Sequence, residues 1–211
     1  MTSKISSQID LNNLVECHRK AFPFSLSSKL NWFYTRKMLS WYLNDERGLL
    51  IHIEQQNKII GYCGAIKTKV PGLEGSSTSM LQYSFKTMVI ALAIKPWLIF
   101  HEENVKKIPL IKRNILLKLG LKRKKNTKGV YEEDFVPFWG LVVIGVDPSF
   151  QGKGLGGILL KEFEKLAKED GVKRIVLSVK KDNSKAMKSY KNNNWEIKFS
   201  NDDSHTMYKN I

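Results

Sequence analysis

The 211-residue sequence contains only two cysteines, Cys17 and Cys63, with no C-x-x-C spacing and no cluster of histidines beside either. A disulfide framework and a cysteine-based metal site are excluded as organising features, and two reduced, buried, structural thiols are expected. Long hydrophobic runs are missing too. The most apolar stretch, MVIALAIKPWLIF at 88–100, is interrupted by Lys95 and Pro96 and is too short to span a bilayer. The opening residues MTSKISSQIDLNN lack the charged-then-apolar pattern of a secretory signal, so a soluble, cytoplasmic protein is expected. Acidic side chains are absent between Glu103 and Glu132, where eight lysines and two arginines fall; they account for ten of the formal net charge of +15. The remaining +5 is ordinary for a soluble enzyme. Within that basic stretch Ile108, Leu110, Ile111, Ile115, Leu116, Leu117, Leu119 and Leu121 alternate with the charges, as in a membrane-surface helix, so contact with an anionic membrane stays open. Aromatic residues are not interleaved there and no nucleic-acid motif accompanies it, so no nucleic-acid partner is expected.

With 42% hydrophobic residues the chain can build one compact domain over 1–211, carrying a basic helical insertion at about 80–128. Leu11, Leu14, Val15, Cys17, His18 and Phe22 fall near helical spacing, and Pro23 ends that helix. Ser27 or Ser28 is the expected N-cap of a second helix bearing Trp32, Phe33, Met38, Leu39, Trp41 and Tyr42, with Gly48 as its stop. The stretch from Gly48 to Val70 reads as a hairpin turning at Gln55 to Lys58. Gly72 to Gly75 reads as a loop, and short helices broken at Pro96 and Pro109 follow. A strand before Pro137 and a buried strand WGLVVIGV at 139–146 lead into DPSFQGKGLGG. Leu155, Ile158, Leu159, Phe163, Leu166 and Ala167 then share a helix face that ends at Gly171, and RIVLSV at 174–179 forms the next strand. This is a βαβ unit, so its two strands should be parallel. A helix at about 184–192, a strand around 195–199 and HTMYKN as a final strand complete the chain.

The concentration of glycine at 152, 154, 156 and 157, at a strand-to-helix turn, calls for something that approaches the backbone closely. Gly152, Gly154 and Gly157 satisfy G-x-G-x-x-G, but a dinucleotide site needs an acidic residue at the end of the next strand, which here ends Ser178, Val179, Lys180. A triphosphate-binding loop needs Lys-Ser or Lys-Thr after the glycines, and none follows Gly157. The third arrangement is Gln151, Gly154 and Gly156 as Q-x-x-G-x-G. Asp182, Asn183, Ala186 and Tyr190 follow as D-N-x-x-A-x-x-x-Y, and then Asn194-Trp195, where the asparagine can stand for a glycine at positive φ.

This joint pattern over about 136–199 resembles the GNAT superfamily of acyl-coenzyme A dependent N-acyltransferases. The resemblance implies a mixed α/β (α+β) fold, with a mainly antiparallel central sheet splayed at one parallel pair and flanked by helices. It also implies acetyl-coenzyme A or another acyl-coenzyme A as donor, and no metal. Gln151, Gly152, Lys153, Gly154, Leu155, Gly156 and Gly157 would then wrap the diphosphate. Ile144, Gly145 and Val146 would offer backbone to the pantetheine arm, and Asn183 and Tyr190 would complete the cofactor site. Gly145 would suit a bulge that opens the sheet, and an amide near Ile144 would face the thioester oxygen. The bland alternative for the glycines is tight packing without a ligand.

In that family the acceptor amine attacks the thioester directly, so no nucleophilic serine or cysteine is needed. Tyr190 falls at the place of the general acid, although a core aromatic would read the same. Glu132, Glu133 and Asp134, just before the central strand, are candidate bases, or else a solvated edge; His18 and His52 are further candidates. HRKAFPFSLSS at 18–28 and the basic insertion are more loosely similar to the branch acting on amino sugars, often nucleotide-linked, for surface polysaccharides. Trp32, Phe33, Trp41 and Trp97 would stack on a sugar or base, or simply fill the core. A protein, peptide or polyamine acceptor, and a non-enzymatic basic surface-binding protein, remain as alternatives.

Overall fold

The computed structural model describes residues 2–69, 76–102 and 135–211. Strand β1, Ser3–Ile5, lies at one edge of a seven-stranded sheet ordered β1-β2-β3-β4-β5-β7-β6. Helices α1 (Leu11–Ala21), α2 (Leu26–Leu30) and α3 (Trp32–Asn44) come next, then β2 (Gly48–Gln55) and β3 (Lys58–Thr68). Helix α4 (Ser76–Ile94) runs into a short 3-10 turn, Pro96–Phe100. Strand β4 (Phe138–Val146), helix α5 (Leu155–Glu169), strand β5 (Arg174–Lys180), helix α6 (Ser184–Asn192), and strands β6 (Glu196–Ser200) and β7 (Ser204–Asn210) complete the chain. All pairings are antiparallel except β4 with β5. The sheet is therefore the expected mixed, mainly antiparallel one with a single parallel pair.

Local chemistry explains several boundaries. Gln56 and Asn57, with φ of 50° and 58°, make the two-residue hairpin turn between β2 and β3. Asn194, at φ 63°, fills a left-handed position before Trp195, as the resemblance implies. The second helix departs from expectation: it is two helices. Ser25, not Ser27 or Ser28, caps α2 by accepting from the Ser28 amide, and Asn31 breaks the run in an extended conformation and caps α3 by accepting from Tyr34 at 2.7 Å. Asp45, rather than Gly48, ends α3. Strand β1 has no sequence signal, because three residues carry no period. Phe135 to Pro137 is not a strand, and the residues before them lie outside the described ones.

Alternate residues of the central strands feed two cores. Ile51, Ile53, Cys63 and Ala65 join Leu155, Leu159, Leu160, Phe163 and Ala167 of α5; Leu50, Tyr62 and Ile66 join Leu11, Leu14, Val15, Leu39, Trp41 and Tyr42 of α1 and α3. Complete burial of each such large apolar side chain stabilises the fold by about 1.5–3 kcal/mol. Both cysteines are buried and unpaired; burial, with Asp147 nearby, pushes the Cys17 thiol up to about 12.

Candidate active site

The site begins where the sheet comes apart. Strand β4 pairs with β5 only through Trp139, Gly140 and Leu141, whereas on its other side it pairs with β3 all the way to Val146. From Val142 to Val146 the β5-facing edge has no strand partner among the described residues, so its backbone groups can bind something else. The divergence starts at an extra residue: Gly64 pairs with Val143 and Ala65 with Leu141, leaving Val142 as the bulge. This corrects the expectation of a bulge at Gly145. That glycine is required for a different reason, since a Cβ there would meet the Phe22 ring at 2.7 Å and Ala21 at 3.1 Å. Strand β4 is accordingly less buried than its apolar sequence suggests, with Val142 38% exposed.

The opening is a cleft of about 530 Å³. Its walls include Val142, Val143 and Ile144 from β4, Ser178 and Lys180 from β5, Asn183 and Tyr190 from the α6 region, and Phe22 and Glu102 at the α1 and α4 side. Asn183 also caps α6 by accepting from the Ala186 amide at 3.1 Å. Tyr190 is 8% exposed, and burial pushes its phenol up to about 12, so it stays protonated at neutral pH. Of the three backbone positions expected to flank the cofactor, Ile144 lines the cleft, Gly145 faces α1, and Val146 packs into the α5 core.

At the end of β4 the glycine turn leads into α5. Gly152 and Gly154 adopt φ of 80° and 77°, which only glycine takes without strain. Gly154 is the N-cap, so no side chain caps the helix. The first helical bond runs from the Ile158 amide to the Gly154 carbonyl at 3.2 Å, leaving the amides of Leu155, Gly156 and Gly157 ahead of it without helical acceptors. A Cβ at 152, 154, 156 or 157 would meet no atom of the described residues within 4 Å. Packing among those residues therefore does not demand these glycines, unlike Gly145, or Gly64 beneath Tyr42. The arrangement is an anion cradle: bare amides at the positive end of a 15-residue helix. Gln151 braces it by donating to the Val146 carbonyl at 3.2 Å and accepting from Lys185 at 2.8 Å. Lys153 lies 4.9 Å from the Phe150 ring centre, and Lys180 and Lys185 are exposed beside the turn and cleft.

Residues 126–195 match the sequence model of the Acetyltransferase (GNAT) family. Solved acetyltransferases share the fold over essentially the whole chain. The PaiA N-acetyltransferase of Thermoplasma acidophilum, solved in complex with coenzyme A, superposes with a TM-score of 0.57 at 14% identity, covering 100% of both chains. A GNAT-family putative acetyltransferase of Desulfovibrio desulfuricans gives 0.59 at 11% identity over 99% of this chain and 98% of the other. The ribosomal-protein-alanine N-acetyltransferase of Brucella melitensis gives 0.56 at 13% over 100% of both. No curated protein sequence matches the chain. The matched segment contains both the open glycine amides and the strand edge that has no strand partner among the described residues.

The other candidates that the sequence suggests separate by geometry. Glu132, Glu133 and Asp134, the loop at Gly72 to Gly75, Pro109 and most of the basic insertion lie outside the described residues. His18 is buried, its Nδ1 against the Tyr62 hydroxyl at 2.5 Å and its Nε2 against Ser27 Oγ at 2.8 Å; it is a structural link between α1, α2 and β3. His52 is buried with Nδ1 on Ser6 Oγ at 2.8 Å, and burial lowers its pKa. Neither lines the cleft. Trp41 belongs to the core, Trp32 is half-buried and donates to Glu16, Phe33 and Trp97 are exposed, and none lines the cleft. Glu102, which does, escapes sequence reasoning because a glutamate at a helix-rich insertion has no sequence pattern. Among the described residues no group of three or more His, Cys, Asp or Glu could hold a metal ion.

Proposed function

We propose that the protein transfers an acetyl or other short acyl group from acyl-coenzyme A to a primary amine, by direct attack in a ternary complex in the cytoplasm. The observation that carries this is the glycine turn: open amides with no packing need for glycine among the described residues, at the end of a strand whose neighbouring edge is unpaired. Acyl-coenzyme A supplies an activated acyl carbon, and its coenzyme A thiolate is the leaving group. The amides of Leu155, Gly156 and Gly157, with Gln151, Gly152, Lys153 and Gly154, hold the diphosphate, and the unpaired backbone from Val142 to Val146 bonds the pantetheine arm. An amide at Ile144, past the Val142 bulge, stabilises negative charge on the thioester oxygen.

The new N–C bond forms as the C–S bond breaks, and the ammonium proton passes to a carboxylate. Glu102 in the cleft wall is one candidate for that base, and Glu132, Glu133 and Asp134 are the others. Tyr190 serves the departing sulfur. A thiol ordinarily titrates near about 8.5, so a phenol raised to about 12 acts chiefly by donating a hydrogen bond to the developing thiolate. For the acceptor we propose the amino group of an amino sugar, free or nucleotide-linked. Ser178, Lys180 and Glu102 give the cleft polar walls suited to hydroxyls and an amine, and the basic insertion suits a nucleotide diphosphate.

Thiol release from acetyl-coenzyme A against free amino sugars, nucleotide-linked amino sugars, lysine peptides and polyamines tests both levels. Release with the sugar amines is the expected result. Release confined to peptides or polyamines would overturn the acceptor assignment, and failure to bind any acyl-coenzyme A would overturn the enzyme reading.

A further inference from the structure

The cleft is closed on its α1 side by an aromatic ring. Phe22, the residue that ends α1, is half-buried and lines the cleft beside Val143 and Ile144 of β4. Its ring lies against the strand backbone: a Cβ at Gly145 would come within 2.7 Å of one ring carbon and 3.1 Å of another, so no gap remains there for a further atom. The ring is held in that place from the other side. The Phe22 amide donates to the His18 carbonyl at 2.8 Å, and the Phe22 carbonyl accepts from the Ser25 amide at 3.2 Å and the Ser25 hydroxyl at 2.9 Å. Its ring centre is 5.2 Å from that of His18, one turn earlier on α1. His18 is itself buried and engaged at both ring nitrogens, by Tyr62 and Ser27. Retreat of the Phe22 ring would therefore have to displace a residue bound on two sides.

A thioester carbon under attack carries a sulfur, an oxygen, the incoming nitrogen and the acyl chain. The acyl-transfer reading turns the sulfur towards the Tyr190 hydroxyl, the oxygen towards the Ile144 amide and the nitrogen towards a carboxylate. The acyl chain is the apolar substituent, and it needs an apolar wall. Phe22 and Val143 offer one beside Ile144. Of the other apolar lining, Leu141 and Leu177 are partners where β4 and β5 still pair, and Val179 and Ala186 share the Tyr190 wall given to sulfur. We propose that Phe22 is the end wall of the acyl pocket and limits the donor to acetyl- and propionyl-coenzyme A. A longer chain would have to pass between the ring and Gly145, where no gap exists, or push the ring into His18. The inference rests on the acyl-transfer reading and deepens it by naming the residue that measures the chain.

Calorimetric titration of the full chain with free coenzyme A and its acetyl, butyryl and hexanoyl thioesters tests it, each affinity being taken relative to free coenzyme A for the same variant. Wild type should bind hexanoyl-coenzyme A at least about 10-fold more weakly than acetyl-coenzyme A, since a single methylene in an apolar pocket is worth about 10- to 200-fold. Phe22→Ala should abolish that discrimination, a gain of binding that no unfolded variant can show. Phe22→Leu, which keeps an apolar side chain at the end of α1, should fall between the two. Equal relative affinity of wild type for all three thioesters, or discrimination that neither substitution changes, would overturn the proposal alone. So would loss of free coenzyme A binding in both variants, because Phe22 would then serve the whole cofactor site rather than the acyl chain. Failure of wild type to bind free coenzyme A would overturn the acyl-transfer reading itself, and the proposal with it.

Discussion

Replacing Gly156 by alanine should stabilise the free protein while weakening its hold on coenzyme A. The new Cβ meets no described atom within 4 Å and the residue lies in the first turn of α5, so the substitution removes glycine's conformational cost without a clash. The gain is at most about 0.8–1 kcal/mol, or about 2–4 °C in Tm for a chain of this size. The same methyl group projects into the space where a diphosphate would meet the amides of Leu155, Gly156 and Gly157. Loss of one hydrogen bond to a charged group costs about 1.5–3 kcal/mol, which raises Kd by about 10- to 100-fold. Gly154→Ala is the companion: at φ 77° an L-residue costs about 1–2 kcal/mol, so this variant should lose both stability and affinity. Thermal unfolding without ligand and calorimetric titration with coenzyme A give the two readings. A more stable Gly156→Ala that binds coenzyme A as well as wild type would refute the diphosphate assignment, because misfolding could not then explain any difference.

Tyr190→Phe should lower turnover by about 100-fold or more while leaving the Kd for coenzyme A nearly unchanged. With the wild-type phenol pushed up to about 12 by burial, turnover should not fall through an ordinary tyrosine titration near about pH 10; a decline there that Tyr190→Phe abolishes would refute its buried setting. Asp147 is 5% exposed. Burial alone would raise its carboxyl, but the Ser149 amide at 3.0 Å and Lys20 at 3.1 Å more than offset this and hold it below the usual carboxylate range. A carboxyl depressed in the folded state contributes stability above its unfolded value near about 4 and loses it as pH falls through the folded value. Asp147→Asn should therefore cost about 1–3 kcal/mol at neutral pH, and its deficit in denaturant titrations should shrink below about pH 4. A deficit independent of pH would refute the ion-pair account.

Hydrophobic period and turn chemistry are enough to place the βαβ unit, the hairpin turning at Gln56 and Asn57, helix α6 and the glycine turn, because each acts within a few residues. They are not enough to place the break at Asn31: Ser25, Ser27, Ser28 and Asn31 are all competent caps, and contacts such as Thr35 to the Ser27 carbonyl, at 2.7 Å, select among them. That Val142, not Gly145, is the bulge emerges only on pairing, since register is a property of two strands, and Gly145 is glycine because Phe22 of another element lies against it. The same holds for the cleft. Glu102 and Phe22 join Tyr190 and Ile144 in its walls from distant parts of the chain, and no spacing in the sequence encodes a wall assembled across a splayed sheet. The glycines show the division most plainly, since all of them look alike in sequence. Packing separates those that neighbouring side chains require, such as Gly64 and Gly145, from Gly156 and Gly157, which no neighbour among the described residues requires.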